Sequence, residues 1–207
     1  MRRLVFCLTA AAGLAASASA DVVVFNDTFD LENGGAASLN YTGFANWTVG
    51  GGTVDLIGNG SFDFYPGNGL YVDLDGSTGD SGLLETTTTF NFLAGITYQL
   101  DFELGGSQRG DTNTVTLLVN VGLINELFVL NSADPLALVT RTFTPAVNTS
   151  GTISFENMGG DNVGLILDDV VLTELATVIP LPGAGAMGAM GLVLGAIAMR
   201  RRGGRMS

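Results

Sequence analysis

The chain contains no histidine, and all eight of its basic residues are arginine, so it has no lysine either. These absences remove an imidazole general base, a Ser-His-Asp triad, a lysine Schiff base and a P-loop lysine. A single cysteine, Cys7, provides neither a disulfide framework nor a thiolate zinc site. Cations are also unevenly placed. Arg2, Arg3, Arg200, Arg201, Arg202 and Arg205 stand at the two ends of the 207 residues, whereas all 20 acids lie between Asp21 and Glu174. Residues 21–179 thus set 20 acids against two arginines, a side-chain charge of −18. A domain this acidic repels a phosphate backbone, which argues against nucleic acid as a partner, and it attracts cations. Carboxylates are the catalytic groups left on offer. They keep one alternative open, a carboxylate-dependent carbohydrate enzyme, which needs two of them facing each other across a sugar.

What is present at the ends reads as address, not structure. Arg2 and Arg3, an apolar stretch from Leu4 to Ala16 and the small-residue site Ala18-Ser19-Ala20 form a secretory signal peptide over residues 1–20. Cleavage after Ala20 removes Cys7, so the mature protein depends on packing or metal in an oxidising exterior. At the other end, over 178–207, Pro180-Leu181-Pro182 precedes an apolar run from Gly183 to Met199 and then Arg200-Arg201-Arg202. As a helix that run is about 25 Å long, short of a bilayer core of about 30 Å unless Leu181 and a snorkelling Arg200 extend it. The arginines should stay cytoplasmic, leaving the acidic domain outside.

This three-part tail resembles the PEP-CTERM sorting signal of exported bacterial proteins, with Pro180-Leu181-Pro182 where that family usually has Pro-Glu-Pro. The resemblance implies an exosortase-type sorting enzyme as a partner, a transient anchor in the inner membrane, and final residence in the cell envelope or outside the cell. A plain single-pass anchor is the alternative.

Residues 21–177 read as all-β. Short β-branched and aromatic stretches alternate with Gly, Asn, Asp and Ser clusters. Strands are predicted over Val22–Asn26, Trp47–Val49, Thr53–Ile57, Leu70–Leu74, Leu83–Phe92, Thr97–Leu104, Thr114–Val121, Glu126–Leu130, Leu138–Thr144, Thr152–Asn157 and Leu165–Glu174. Gly50-Gly51-Gly52 predicts a hairpin between the second and third of these. In Thr97–Leu104, Tyr98, Leu100, Phe102 and Leu104 share one face and Gln99, Asp101 and Glu103 the other. So many short strands predict an antiparallel β-sandwich, a jelly roll, with no linker dividing it.

The order of Phe29-Asp30, Trp47-Thr48-Val49, Val54-Asp55-Leu56-Ile57-Gly58, Gly69-Leu70-Tyr71-Val72-Asp73-Leu74-Asp75-Gly76, Gly95-Ile96-Thr97-Tyr98-Gln99-Leu100-Asp101-Phe102 and Leu167-Asp168-Asp169-Val170-Val171-Leu172 resembles the choice-of-anchor C domain. That domain is a relative of the galactose-binding-like jelly rolls and their carbohydrate-binding modules. The resemblance implies a non-catalytic binding or scaffolding domain, with extracellular polysaccharide as a partner or with a purely structural role in a matrix. It does not by itself settle function.

Two kinds of site follow. Sugar recognition needs aromatic platforms, and Tyr65, Tyr71 and Tyr41 are the candidates, Tyr65 beside Pro66-Gly67-Asn68 in a loop. Trp47 and Tyr98 read as core. Alternation sets Asp168 in phase with Ile166, Val170 and Leu172, a carboxylate on an apolar face, although Leu165, Leu167 and Val171 make the other face apolar too. Such a group is satisfied by metal, by neutralisation or by a hydrogen bond. The resemblance implies a structural Ca²⁺ between Asp168 and Asp30, with Asp27 and Glu32 able to contribute and Asp169 facing out. The alternative for Asp30 is a turn cap. Arg109-Gly110-Asp111 matches an adhesion tripeptide, but the simpler role of Arg109 is to pair with a neighbouring carboxylate.

Overall fold

The computed structural model describes residues Ala20–Ala176, which form one unit. The segments read as address lie outside the described residues, apart from Ala20 itself; these are Ala18, Pro180-Leu181-Pro182 and Arg200–Arg202. Among the described residues no helix is long and apolar enough to cross a membrane.

The first strands are β1 (Val22–Asp27), β2 (Trp47–Gly50), β3 (Asp55–Gly58), β4 (Leu70–Asp73), β5 (Leu83–Thr86) and β6 (Phe90–Phe92). Then come β7 (Tyr98–Gly105), β8 (Thr112–Val119), β9 (Ile124–Asn131), β10 (Ala137–Phe143), β11 (Thr149–Gly151), β12 (Ile153–Asn157) and β13 (Ile166–Glu174). One sheet runs β10-β7-β13-β4-β3, with β1 also paired to β13; the other runs β2-β5-β12-β8-β9; β6 and β11 form a small ribbon. All these pairings are antiparallel. The result is an all-β antiparallel sandwich.

Period-two alternation builds the core. Tyr98, Leu100, Phe102 and Leu104 of β7 all point inward and are buried, as predicted. They meet Val115, Leu117, Phe155 and Leu84 from the opposite sheet in one apolar cluster. Phe102 stands edge-on to Phe155 at 5.2 Å between ring centres, and Trp47 packs against Phe25 at 5.5 Å. Trp47 is 1% exposed and belongs to this core.

Three predictions fail in instructive ways. β2 and β3 are not a hairpin: β2 pairs with β5 in one sheet and β3 with β4 in the other. Gly50–Gly52 carries the chain between sheets, and a Cβ on Gly52 would run into the Asp80 and Ser81 carbonyl oxygens. Leu83–Phe92 is two strands, because the Thr86 hydroxyl turns back to the Thr88 carbonyl at 3.1 Å and breaks the ladder. The third concerns β13, where the register shifts between Asp168 and Val171. Asp169 sits there at φ +49. This bulge resets the phase. Ile166 and Asp168 lie on the outer face, whereas Val170 and Leu172 enter the core.

Candidate functional site

β13 changes partner at that bulge. Up to Leu167 its flank is β4; from Val170 onward it is β1; β7 runs along the other side throughout. A seam therefore opens between the end of β1 and the start of β4, beside two consecutive aspartates. A bulge sets two residues against one on the facing strand. Here Asp169 and Val170 stand against Phe102, and Glu103, next along β7, is the direct partner of Asp168. Glu103, Asp168 and Asp169 each bring a carboxylate oxygen within 4.8 Å of the others.

Asp30 closes the seam. Its Oδ1 accepts a hydrogen bond from Leu70 N at 2.9 Å, tying the turn after β1 to the first residue of β4. Gly69 permits this approach, because a Cβ at that position would collide with the Asp30 carboxylate. Asp30 stands close enough to raise the titration of both Asp168 and Asp169. Asp168 is 2% exposed and accepts one bond, from Asp169 N at 2.8 Å. Burial first, then the charge of Asp169, pushes its carboxyl up to about 8. Burial followed by Asp169 also raises Glu103, and burial followed by Asp30 raises Asp169. A cation among these acids would favour their ionising together. The donor set is all oxygen, which fits a hard cation such as Ca²⁺ and not zinc.

The predicted ligands divide accordingly. Asp30 and Asp168 stand within electrostatic reach of one another. Asp169, expected to face out, is exposed but brings its carboxylate into the cluster, and Glu103 joins it. Asp27 is turned to other work: it accepts bonds from Phe29 N at 2.9 Å, Asn46 Nδ2 at 3.0 Å and Trp47 Nε1 at 2.9 Å. Asp27, not Asp30, caps its turn. Glu32 accepts from Ala45 N at 2.9 Å. These two acids line a pocket of about 280 Å³, but both hold the loop that walls it. Arg109 does pair with a carboxylate, that of Asp73, which is 1% exposed. Burial outweighs this partner and pushes Asp73 up to about 7.

Of the predicted sugar platforms, Tyr71 is corrected. Tyr71 is fully buried. Its hydroxyl accepts from Phe64 N at 2.6 Å and Tyr65 N at 3.0 Å and faces Asp63 Oδ1 at 3.1 Å, and burial first pushes it up to about 12. Tyr65 is half-buried, its hydroxyl 2.8 Å from Gly106 O and 2.9 Å from Asp134 O while Gln108 donates to it. Tyr41 folds its hydroxyl onto Gly43 O at 3.0 Å and packs edge-on to Phe44. All three hydroxyls fasten loops, while the rings of Tyr65 and Tyr41 stay partly exposed. The exposed aromatic nearby is Phe62, 57% exposed at φ +48, a backbone setting that costs a bulky residue roughly 1–2 kcal/mol. Phe62 had no signal in the sequence beyond its place in a Gly-rich loop.

No protein-family model matches the chain, and no curated protein matches it. Among solved structures it is similar to the CBM22-1 and GH10 modules of xylanase 10B from Clostridium thermocellum, complexed with xylohexaose, at 16% identity and a TM-score of 0.45. That match covers 78% of this chain and 30% of the other, so the chain spans less than a third of it. The K3 adhesin domain of Lys-gingipain from Porphyromonas gingivalis matches at 16% identity and a TM-score of 0.45, covering 74% of this chain and 98% of that one. A xylan-binding CBM22 domain matches at 18% identity and a TM-score of 0.42, covering 76% and 97%.

Proposed function

We propose that this chain is an exported, non-catalytic binding and scaffolding module of the cell surface or extracellular matrix, held by a structural calcium ion and recognising polysaccharide. The carrying observation is the arrangement of the acids. Glu103, Asp168 and Asp169 are cross-strand neighbours at the seam between β1 and β4, where a cation would staple strands together. Of the buried acids elsewhere, Asp27, Glu32 and Asp55 accept from backbone and side-chain donors that hold loops, Asp73 pairs with Arg109, and Asp75 accepts from Asp161 N at 3.3 Å. Such roles suit a scaffold. Calcium also suits a mature chain that cleavage after Ala20 would leave without cysteine. The signal-like start and the Pro, apolar and Arg order of the tail support export with PEP-CTERM-type sorting.

Mass spectrometry of the natural extracellular protein tests the sorting part. The mature chain should begin at Asp21 and lack everything after Pro182; extracellular protein that still carries Arg200–Arg202 would overturn it. A glycan array followed by a turnover assay tests the rest: retention without hydrolysis is expected, and hydrolysis would overturn the non-catalytic reading.

A further inference from the structure

The loop between β3 and β4 builds a rigid perch for one exposed ring. Gly58 and Ser61 exchange backbone hydrogen bonds at 2.9 and 3.0 Å, and Gly60 N donates to Asp63 Oδ2 at 3.2 Å. Asp63 in turn meets the buried Tyr71 hydroxyl, which also receives Phe64 N and Tyr65 N. The tyrosines thus immobilise the loop, and Phe62 projects from it into solvent. Beside Phe62 lies a small pocket of about 40 Å³, lined by Leu39, Asp55, Phe64, Asp73, Ser77 and Arg109 among others. Leu39, 44% exposed, forms a second apolar rim. Arg109 is fixed from three sides, by Asp73, by Asn162 O at 2.6 Å and by the Phe64 ring at 5.3 Å. A guanidinium has five N–H donors, and those contacts leave some of them over.

We infer that Phe62, Leu39 and Arg109 form a subsite for one ring of a neutral saccharide, which rests on and deepens the polysaccharide-binding reading above. A pyranose has an apolar face for Phe62 and hydroxyls for the guanidinium. The ring, the rim and the arginine stand pre-positioned, so binding costs little ordering. The charge of −18 disfavours an anionic glycan. Two exposed apolar side chains around so small a pocket are too little for a protein interface.

The test uses the natural mature protein and its Phe62→Ala, Phe62→Trp and Leu39→Ser variants, titrated with xylohexaose, cellotriose and β-1,4-galactotriose while backbone amide shifts are followed by NMR. One of these oligosaccharides should shift the amides of Phe62, Asp63 and Arg109. Phe62→Ala should weaken it about tenfold or more, Leu39→Ser should weaken it less, and Phe62→Trp should restore it. Phe62 is exposed, so melting curves should confirm that its variants stay folded. Binding that Phe62→Ala leaves untouched, with shifts elsewhere, overturns the subsite but keeps polysaccharide recognition. No binding to any of the three and none on a glycan array overturns both.

Discussion

Asp168→Asn is the substitution that separates the metal-free and calcium-bound states of the seam, because calcium should stabilise the parent and not the variant. The Asp168 carboxyl is pushed up to about 8 in the fold, whereas an unfolded aspartate titrates near ~3.9. Across that window the native state holds a proton that the unfolded chain releases. The stability this group contributes is complete below about pH 4 and is lost as pH rises toward about 8. Near pH 7 about three pH units of the window have been crossed, at about 1.4 kcal/mol each, a penalty of up to about 4 kcal/mol without metal. Asparagine cannot ionise, so it takes up no proton on folding. In metal-free buffer near pH 7 the variant should therefore be more stable than the parent by about 2–4 kcal/mol, and the gain should vanish near pH 4.

Calcium should narrow the difference. Its ligands must be deprotonated, so binding expels the Asp168 proton and strengthens as pH approaches about 8. At 100 times its dissociation constant it adds about 2.7 kcal/mol to the parent, and it should add nothing to the variant. Urea melts of both proteins with and without millimolar Ca²⁺, near pH 4, 7 and 8.5, give every number needed. A variant less stable than the parent in metal-free buffer near pH 7 refutes the electrostatic argument. A parent indifferent to Ca²⁺ at every pH refutes the site.

Arg109→Met should cost about 1.4 kcal/mol more near pH 8 than near pH 5, because the parent's Asp73, pushed up to about 7, ionises over about one pH unit there, whereas without the guanidinium it stays protonated. Urea melts of this variant and of Arg109→Met with Asp73→Asn check it, the double variant recovering most of the loss. The −18 side-chain charge should make the melting temperature rise as NaCl goes from ~10 mM to ~500 mM, with calcium absent throughout; a flat response in calorimetry would show that the acids stand too far apart to repel.

The parts of the fold legible in the sequence are those where one physical signal acted alone. Alternation in β7 identified both its buried face and its polar face, and the largest aromatic, Trp47, read correctly as core. Legibility failed where two signals competed. Four consecutive threonines from Thr86 to Thr89 have the propensity of strand, but a side-chain bond to the backbone ends β5 there. Three glycines between two strands read as a hairpin turn, yet the same freedom serves a crossover between sheets. At the seam, Asp30 and Asp168 were identifiable as acids near the two ends of the domain. Glu103 was visible only as a residue on the polar face of β7, since its place opposite Asp168 depends on register that no local pattern encodes. Tyr71, read as a platform, is buried instead, its hydroxyl partnered by the loop it holds.

The bulge explains why the acids can be both a liability and a device. Among the described residues the one strand paired with β1 is β13, and Val22, Val23 and Val24 are exposed. Its far end is anchored where Ala176 N donates to Asp21 Oδ1 at 2.7 Å. Its near end is anchored by Phe25 in the core, by Trp47 on Asp27, and by Asp30 on Leu70 N. The bulge places Asp168 and Asp169 beside that near end, so their repulsion of Asp30 pushes on the very turn that docks β1 against β4. Uninterrupted alternation would have sent Asp169 toward the core and left Asp168, Glu103 and Asp30 at the seam. With a cation between them the same charges pull the turn inward, and the first and last strands of the domain are drawn together at both ends of β1.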